Sequence, residues 1–156
     1  EAIKSINQSG KLAIVITNQP SVARGLCQME DIDNIHKKMS TLLGKEGAYL
    51  DDVYFCPHHP DKGYPEENRA YKIPCECRKP GIGLIQSAVE QYHIDLKNSW
   101  MVGDTTVDIQ TGKNAGLHTV LVLTGEAGKD NKYDVAPDLV CQNLQEAVEM
   151  ILNYNE

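Results

Sequence analysis

The chain has 156 residues, with 15 Lys plus Arg against 22 Asp plus Glu and a formal net charge of -7. That length suits a single domain, and the acidic balance excludes a nucleic-acid sheath, which needs a basic face. No apolar run nears the roughly 20 residues of a membrane span and no signal peptide opens the sequence, so it reads as soluble and cytoplasmic, with neither nucleic acid nor membrane as partner.

Ile3 and Ile6 stand at helical spacing in residues 1–8, and Ser9-Gly10 ends that helix. Residues 12–16 are a continuous apolar run of strand length, which predicts a strand covered on both faces; Thr17-Asn18-Gln19-Pro20 breaks it. Residues 30–43 carry Ile32, Ile35, Met39 and Leu42 three and four apart, an amphipathic helix. Val53-Tyr54-Phe55 is a second strand that delivers the chain to Cys56. A helix follows over residues 82–92, with Ile82, Ile85 and Val89 on one side. The third strand is 99–102, stopped by Gly103-Asp104, and a helix over 106–114 closes at Gly116. Residues 118–123 and 139–141 are further strands, before a last helix from about 144 to 152. Strands alternating with helices predict an α/β fold, a three-layer parallel sheet of Rossmann-like form in one domain spanning 1–156. In such sheets the working groups sit on loops leaving the carboxyl ends of strands. Three polar clusters hold that position: Thr17-Asn18-Gln19, the loop after Cys56, and Gly103-Asp104-Thr105.

Cysteine usage is informative. Cys27 and Cys141 stand alone and read as unpaired thiols. Cys56-Pro57-His58 and Cys75-Glu76-Cys77 instead form two pairs with identical spacing. In extended backbone, residues two apart share a face, so each pair can point at one ion. Three thiolates and a neutral imidazole make a closed tetrahedral zinc site, structural rather than catalytic, with net charge of about -1. His59 is an alternative nitrogen ligand, and reduced cysteines in a surface loop are the alternative to a metal. Arg78 and Lys79 follow the second pair directly, offsetting its charge and offering donors outward. The segment 56–80 therefore reads as a zinc-binding substrate loop.

The other clusters each carry two readings. The hydroxyl and amides of Thr17, Asn18 and Gln19 can donate to phosphate oxygens, or bond their own backbone in a turn. Arg24 can supply a bidentate anion contact, or be solvated. Asp104 and Asp108 flank a helix start, where carboxylates cap and complement the dipole. Alternatively Asp104 is a magnesium ligand and Asp108 braces its loop.

Taken together, Thr17-Asn18-Gln19 with Ala23-Arg24-Gly25, Cys56-Pro57-His58-His59-Pro60, Cys75-Glu76-Cys77-Arg78-Lys79-Pro80, and Gly103-Asp104 with Asp108 resemble the haloacid dehalogenase-type phosphatases. The narrower likeness is to the branch of heptose 1,7-bisphosphate and histidinol phosphatases. The resemblance spans nearly the whole chain and implies a magnesium-dependent phosphomonoesterase without a separate cap domain, working through an aspartyl-phosphate on a small phosphorylated sugar. Heptose bisphosphate is the preferred substrate and histidinol phosphate the alternative; a zinc-stapled, non-catalytic binding module is the alternative of another class. By resemblance, Thr17 binds the transferring phosphoryl group, Lys79 neutralises it and Asp104 holds magnesium. Asn18, Gln19, Arg24 and Arg78 contact substrate, and Cys56, His58, Cys75 and Cys77 bind zinc. The full-length form is expected to be a monomer.

One departure matters. The family opens with a strand ending in Asp-x-Asp, whose first carboxylate is the nucleophile. Here Asp31-Ile32-Asp33 falls within a helix, so the central first strand is expected to be missing from this chain, which alone is expected to be inactive. Pro20-Ser21 in place of a Ser-Gly pair and Gly81-Ile82-Gly83 in place of a second proline are smaller departures.

Overall fold

Helices and strands alternate along the computed structural model, which describes residues 1–61, 63 and 65–154. Among the described residues the order is α1 (Ala2–Gln8), β1 (Ile14–Asn18), α2 (Met29–Lys45), β2 (Asp52–Cys56), α3 (Gly83–Tyr92), β3 (Trp100–Gly103), α4 (Thr106–Ala115), β4 (His118–Val122), β5 (Leu139–Cys141) and α5 (Leu144–Leu152). Single 3-10 turns at Arg69–Tyr71 and Leu96–Asn98 punctuate the connections. Every strand pairing is parallel. The pairing is divided, however: β1 pairs with β2, and β3, β4 and β5 form a second sheet in that order.

Between β1 and β3 runs a cleft of about 710 Å3, walled by Ala13 to Ile16 on one side and Trp100 to Gly103 on the other. This explains a difference from the sequence expectation. The apolar run ending at Ile16 predicts a strand covered on both faces, yet every residue of β1 is half-buried and Leu12 is 45% exposed. β1 also begins and ends two residues later than its hydrophobicity suggests. Thr17 and Asn18 do not break the strand: their backbones pair with Phe55 and Cys56, and the Gln19 N–H donates to Cys56 O at 2.8 Å. The ladder outranks their turn-forming preference. Gly103 likewise belongs to β3, opposite Leu121.

Burial is deepest in the three-stranded sheet, where Thr119 and Val120 of β4 are wholly buried. Val120, Val122, Cys141 and Ala147 form its core, with Trp100, Val102, Leu139 and Ile151 packed around them. Cys27 and Cys141 are free thiols as expected, and burial pushes Cys141 up. α1 packs on α5, linking the two halves below the cleft.

The helices start and stop where local chemistry directs. α2 opens with a capping box between Gln28 and Asp31 and ends on Lys45, so both termini complement the dipole. Asp31 and Asp33 lie in this helix, as the sequence predicts. Its packed face differs: Ile32 is 1% exposed, while Ile35 and Leu42 face outward at 57% and 52%. His36, edge-on to Phe55 of β2 at 5.3 Å, takes the place expected of Ile35. α4 opens with a Thr105–Asp108 capping box and stops at Gly116, whose φ of 77° suits a left-handed cap. Among the described residues, no helix is long and apolar enough to cross a membrane.

Candidate active site

Lys79 stands at the carboxyl end of β1, beside the first turn of α4, and lines one cleft with Gly103 and Asp104 at the end of β3. Its ammonium lies 2.5 Å from Asp108 Oδ1 in the first turn of α4 and donates to Ile16 O of β1 at 3.4 Å. Its backbone is held too: the Lys79 N–H donates to Asn18 Oδ1 at 3.0 Å, and Asn18 Nδ2 donates to Lys79 O at 3.3 Å. The Asn18 carboxamide thus works as a clamp on the Lys79 backbone. The sequence, read alone, offers no sign of this, because the partners are 61 residues apart. Gln19 Nε2 donates to Thr17 Oγ1 at 3.4 Å, so the two side chains share one face of the strand end.

Asp108 is 5% exposed and fully engaged. Besides Lys79, its carboxylate accepts from Thr105 N at 3.2 Å and Thr105 Oγ1 at 2.6 Å. Gly103 leaves the room it needs; a Cβ there would lie 2.2 Å from Asp108 Cβ. Asp104 follows directly, and its Oδ2 accepts from Glu126 N at 2.9 Å. Lys79, Asp104 and Asp108 all line one end of the cleft between β1 and β3.

The thiols of Cys56, Cys75 and Cys77 and the imidazole of His58 come together as their spacing predicts. Cys56, Cys75 and Cys77 Sγ are 3.0 to 3.5 Å apart, and His58 Nδ1 is 3.6 Å from Cys56 and 3.3 Å from Cys77. These distances are too long for disulfides and near the edges of a tetrahedron built on metal–sulfur bonds of about 2.3 Å. The group could hold a metal ion. Burial, then hydrogen bonding with Cys77, pushes Cys56 far up. Burial also raises Cys77. At Cys75 burial raises the thiol, but hydrogen bonds from Cys77 and Cys56 outweigh it, and the net direction is down. Three crowded sulfurs that cannot all ionise unaided are the donor set that a divalent cation satisfies.

His59 is turned away from this group. Its Nε2 lies 3.3 Å from Arg24 Nη2 and its Nδ1 accepts from Asp61 N, so it is not the nitrogen ligand. Burial, followed by the nearby Arg78 and Arg24 cations, keeps its ring below the ordinary imidazole range. Arg24 is therefore engaged within the protein, with its guanidinium on His59. Arg78 donates to His58 O at 3.2 Å, tying the first cation after the cysteines back to the ligand segment. Of the 56–80 loop, Lys62 and Tyr64 fall outside the described residues.

A further segment reaches this corner: the connection from β4 to β5. Gly128 N donates to Asp104 O at 2.8 Å, and Asp130 accepts from Thr106 N and Thr106 Oγ1, both at 2.7 Å. Lys132 and Tyr133 come next and line a second cleft with Asn18, Arg78 and Lys79. The strand-end rule applied to β1, β2 and β3 would have flagged this loop had it been extended to β4.

The family model described as HAD-hydrolase-like matches residues 76–147. The D-glycero-D-manno-heptose-1,7-bisphosphate 7-phosphatase of Chlorobaculum tepidum is 32% identical over 155 residues, covering 95% of this chain and 76% of that protein. The corresponding Haemophilus ducreyi enzyme is 37% identical over 129 residues, covering 81% and 68%. The Rhodopseudomonas palustris enzyme is 38% identical over 116 residues, covering 74% of this chain and 62% of its own length. Among solved structures, the D,D-heptose 1,7-bisphosphate phosphatase from B. bronchiseptica, complexed with magnesium and phosphate, superposes with a TM-score of 0.82 at 33% identity, over 97% of this chain and 79% of that one. With likeness in sequence and in backbone across both sheets, the chain belongs to the haloacid dehalogenase-like hydrolases, in their heptose 1,7-bisphosphate phosphatase branch.

Proposed function

We propose that the chain forms the phosphoryl-handling body of a magnesium-dependent phosphatase that removes the 7-phosphate of D-glycero-D-manno-heptose 1,7-bisphosphate. The observation that carries this reading is the setting of Lys79, a cation fixed by Asn18 through its backbone and by Asp108 and Ile16 through its ammonium. Phosphoryl transfer depends chiefly on positioning and on neutralising charge. The relatives named above carry this substrate in their names.

In this reading Thr17 donates its hydroxyl to a phosphoryl oxygen, Lys79 balances the charge on the group in transit, and Arg78 and Gln19 meet the substrate. Asp104 would be a magnesium ligand, the ion supplying further charge neutralisation when bound. Cys56, His58, Cys75 and Cys77 would hold zinc, whose part is to fix the loop that carries Arg78 and Lys79.

Asp108 is committed to Lys79 and Thr105, which leaves the nucleophile to another carboxylate. We assign it to a strand lying in the cleft between β1 and β3, parallel to both, with its carboxyl end beside Lys79 and Asp104. Both walls of that cleft are strand edges, and its polar end holds these residues. A carboxylate oxygen there attacks phosphorus and the bond to the sugar oxygen breaks. That oxygen takes a proton from a second acid, and water then cleaves the acyl phosphate to restore the carboxylate.

Magnesium-dependent phosphate release tests both parts. The 156 residues alone are expected to be inactive, and the same chain carrying a preceding Asp-x-Asp strand to turn over heptose bisphosphate faster than histidinol phosphate. Turnover by the shorter chain would refute the strand assignment; none by the longer would refute the phosphatase reading.

A further inference from the structure

The second cleft, of about 320 Å3, has a lining unlike the rest of the molecule. The chain carries 22 acidic residues against 15 basic, yet Arg78, Lys79 and Lys132 line this space and no carboxylate lies among its described lining residues. Its volume is that of a small-ligand pocket, for which about 300 Å3 is the lower bound. The cleft shares Lys79 with the reaction corner, and Lys132 and Tyr133 are lining residues contributed by the loop after β4.

That loop is held in position. The Lys132 and Tyr133 N–H groups both donate to Thr106 Oγ1, at 3.1 and 3.2 Å, and Thr106 Oγ1 donates onward to Asp130. The backbone bearing the two side chains is therefore pinned to the start of α4, two residues after Asp104. Among the ion pairs of the described residues, none involves Lys132. Its ammonium is a cation beside a cleft, with no carboxylate within 4 Å among the described residues.

We propose that Lys132, with Tyr133 beside it, binds the second, non-reacting phosphate of a sugar bisphosphate; this deepens the phosphatase reading and rests on it. A bisphosphate presents two dianionic groups of about -1.5 to -2 each. One sits in the reaction corner, and the other needs its own donors within the length of one sugar. Arg78 and Lys132, both lining this cleft, meet that need, while the Tyr133 ring offers an apolar face and a hydroxyl to the sugar. Binding energy gathered there is present equally in ground and transition states, so it lowers KM and leaves kcat alone.

The experiment compares Lys132→Ala, Lys132→Glu and Lys132→Arg in the full-length protein, with heptose 1,7-bisphosphate and p-nitrophenyl phosphate as substrates. Lys132→Ala is expected to raise KM for the bisphosphate about tenfold, the size of one charge-assisted contact. Lys132→Glu raises it further and Lys132→Arg restores most of it. kcat, and KM for the single-phosphate ester, stay within twofold. Equal effects on both substrates, or none on either, would overturn the assignment. Calorimetric titration with the bisphosphate and with inorganic phosphate gives a reading independent of turnover: only bisphosphate affinity falls in Lys132→Ala if the proposal holds, and unchanged bisphosphate affinity sinks it. Failure of the wild-type protein to hydrolyse either ester would sink the phosphatase reading instead, with the titration still deciding the role of Lys132.

Discussion

Lys79 and Asp108 form an ion pair that ties the loop after β2 to the first turn of α4: Nζ sits 2.5 Å from Oδ1, and the side chains are only 13% and 7% exposed. Such a pair is hard to break from one side, since the survivor stays desolvated. Asp108→Ala is expected to cost about 3 kcal/mol of stability, read as a lower urea midpoint. In the complete enzyme it lowers kcat about a hundredfold, the scale of a misplaced catalytic group. An unchanged kcat would show that Lys79 holds its position without Asp108.

Gly125 lets a backbone pass against Asp104. At φ +71°, a Cβ here would fall 2.2 Å from Asp104 Oδ2. Gly125→Ala is expected to cost about 1 to 2 kcal/mol from backbone handedness. It should also weaken magnesium affinity by displacing the carboxylate, which magnesium titration of activity will report. Normal magnesium dependence in a destabilised variant would separate the two effects and remove the second.

The pH dependence of stability follows from Asp130. Burial raises its carboxyl, but the Thr106 amide and hydroxyl and the Val107 amide outweigh that and hold it below the ordinary value. A depressed carboxyl stabilises the fold fully above its unfolded pKa and loses that contribution as pH falls through the folded one. Asp130→Ala is expected to lose about 1 kcal/mol at neutral pH, as for other helix-start caps. The gap to wild type narrows as pH falls below about 5. Denaturant midpoints across this range measure it, and a gap that is constant with pH would exclude the charge as its source.

Removal of the zinc proposed for the cysteines and His58 is expected to loosen Arg78 and Lys79 rather than unfold either sheet. Cys75→Ser should lose stoichiometric zinc by elemental analysis and lower Tm by about 5 °C, equivalent to roughly 2 kcal/mol in a chain of this size. In the complete enzyme its phosphatase activity falls even with magnesium saturating. Full activity in zinc-free protein would uncouple the loop from phosphate handling.

What could be read from the residues alone follows from how far apart the partners lie. The convergence of Cys56, His58, Cys75 and Cys77 was legible because each pair is two residues apart and extended backbone fixes the direction of both. Strand and helix order was legible from hydrophobic period. Where a choice depended on distant contacts, the reading fell short. Asn18 holds Lys79 across 61 residues and Thr106 holds Asp130 across 24. On α2, the periodicity of Ile32, Ile35, Met39 and Leu42 allowed two faces, and only Phe55 on the neighbouring strand selects the one bearing His36. The division of the sheet was anticipated from a missing motif and not from any property of β1 itself.

The connection leaving β4 answers to two masters. Glu126 and Gly128 grip Asp104, while a few residues later Asp130, Lys132 and Tyr133 are strung on Thr106. A single insertion between them would shift one set of tethers against the other. Any change in what the proposed site recognises is therefore expected to come from swapped side chains along this stretch, with its length kept.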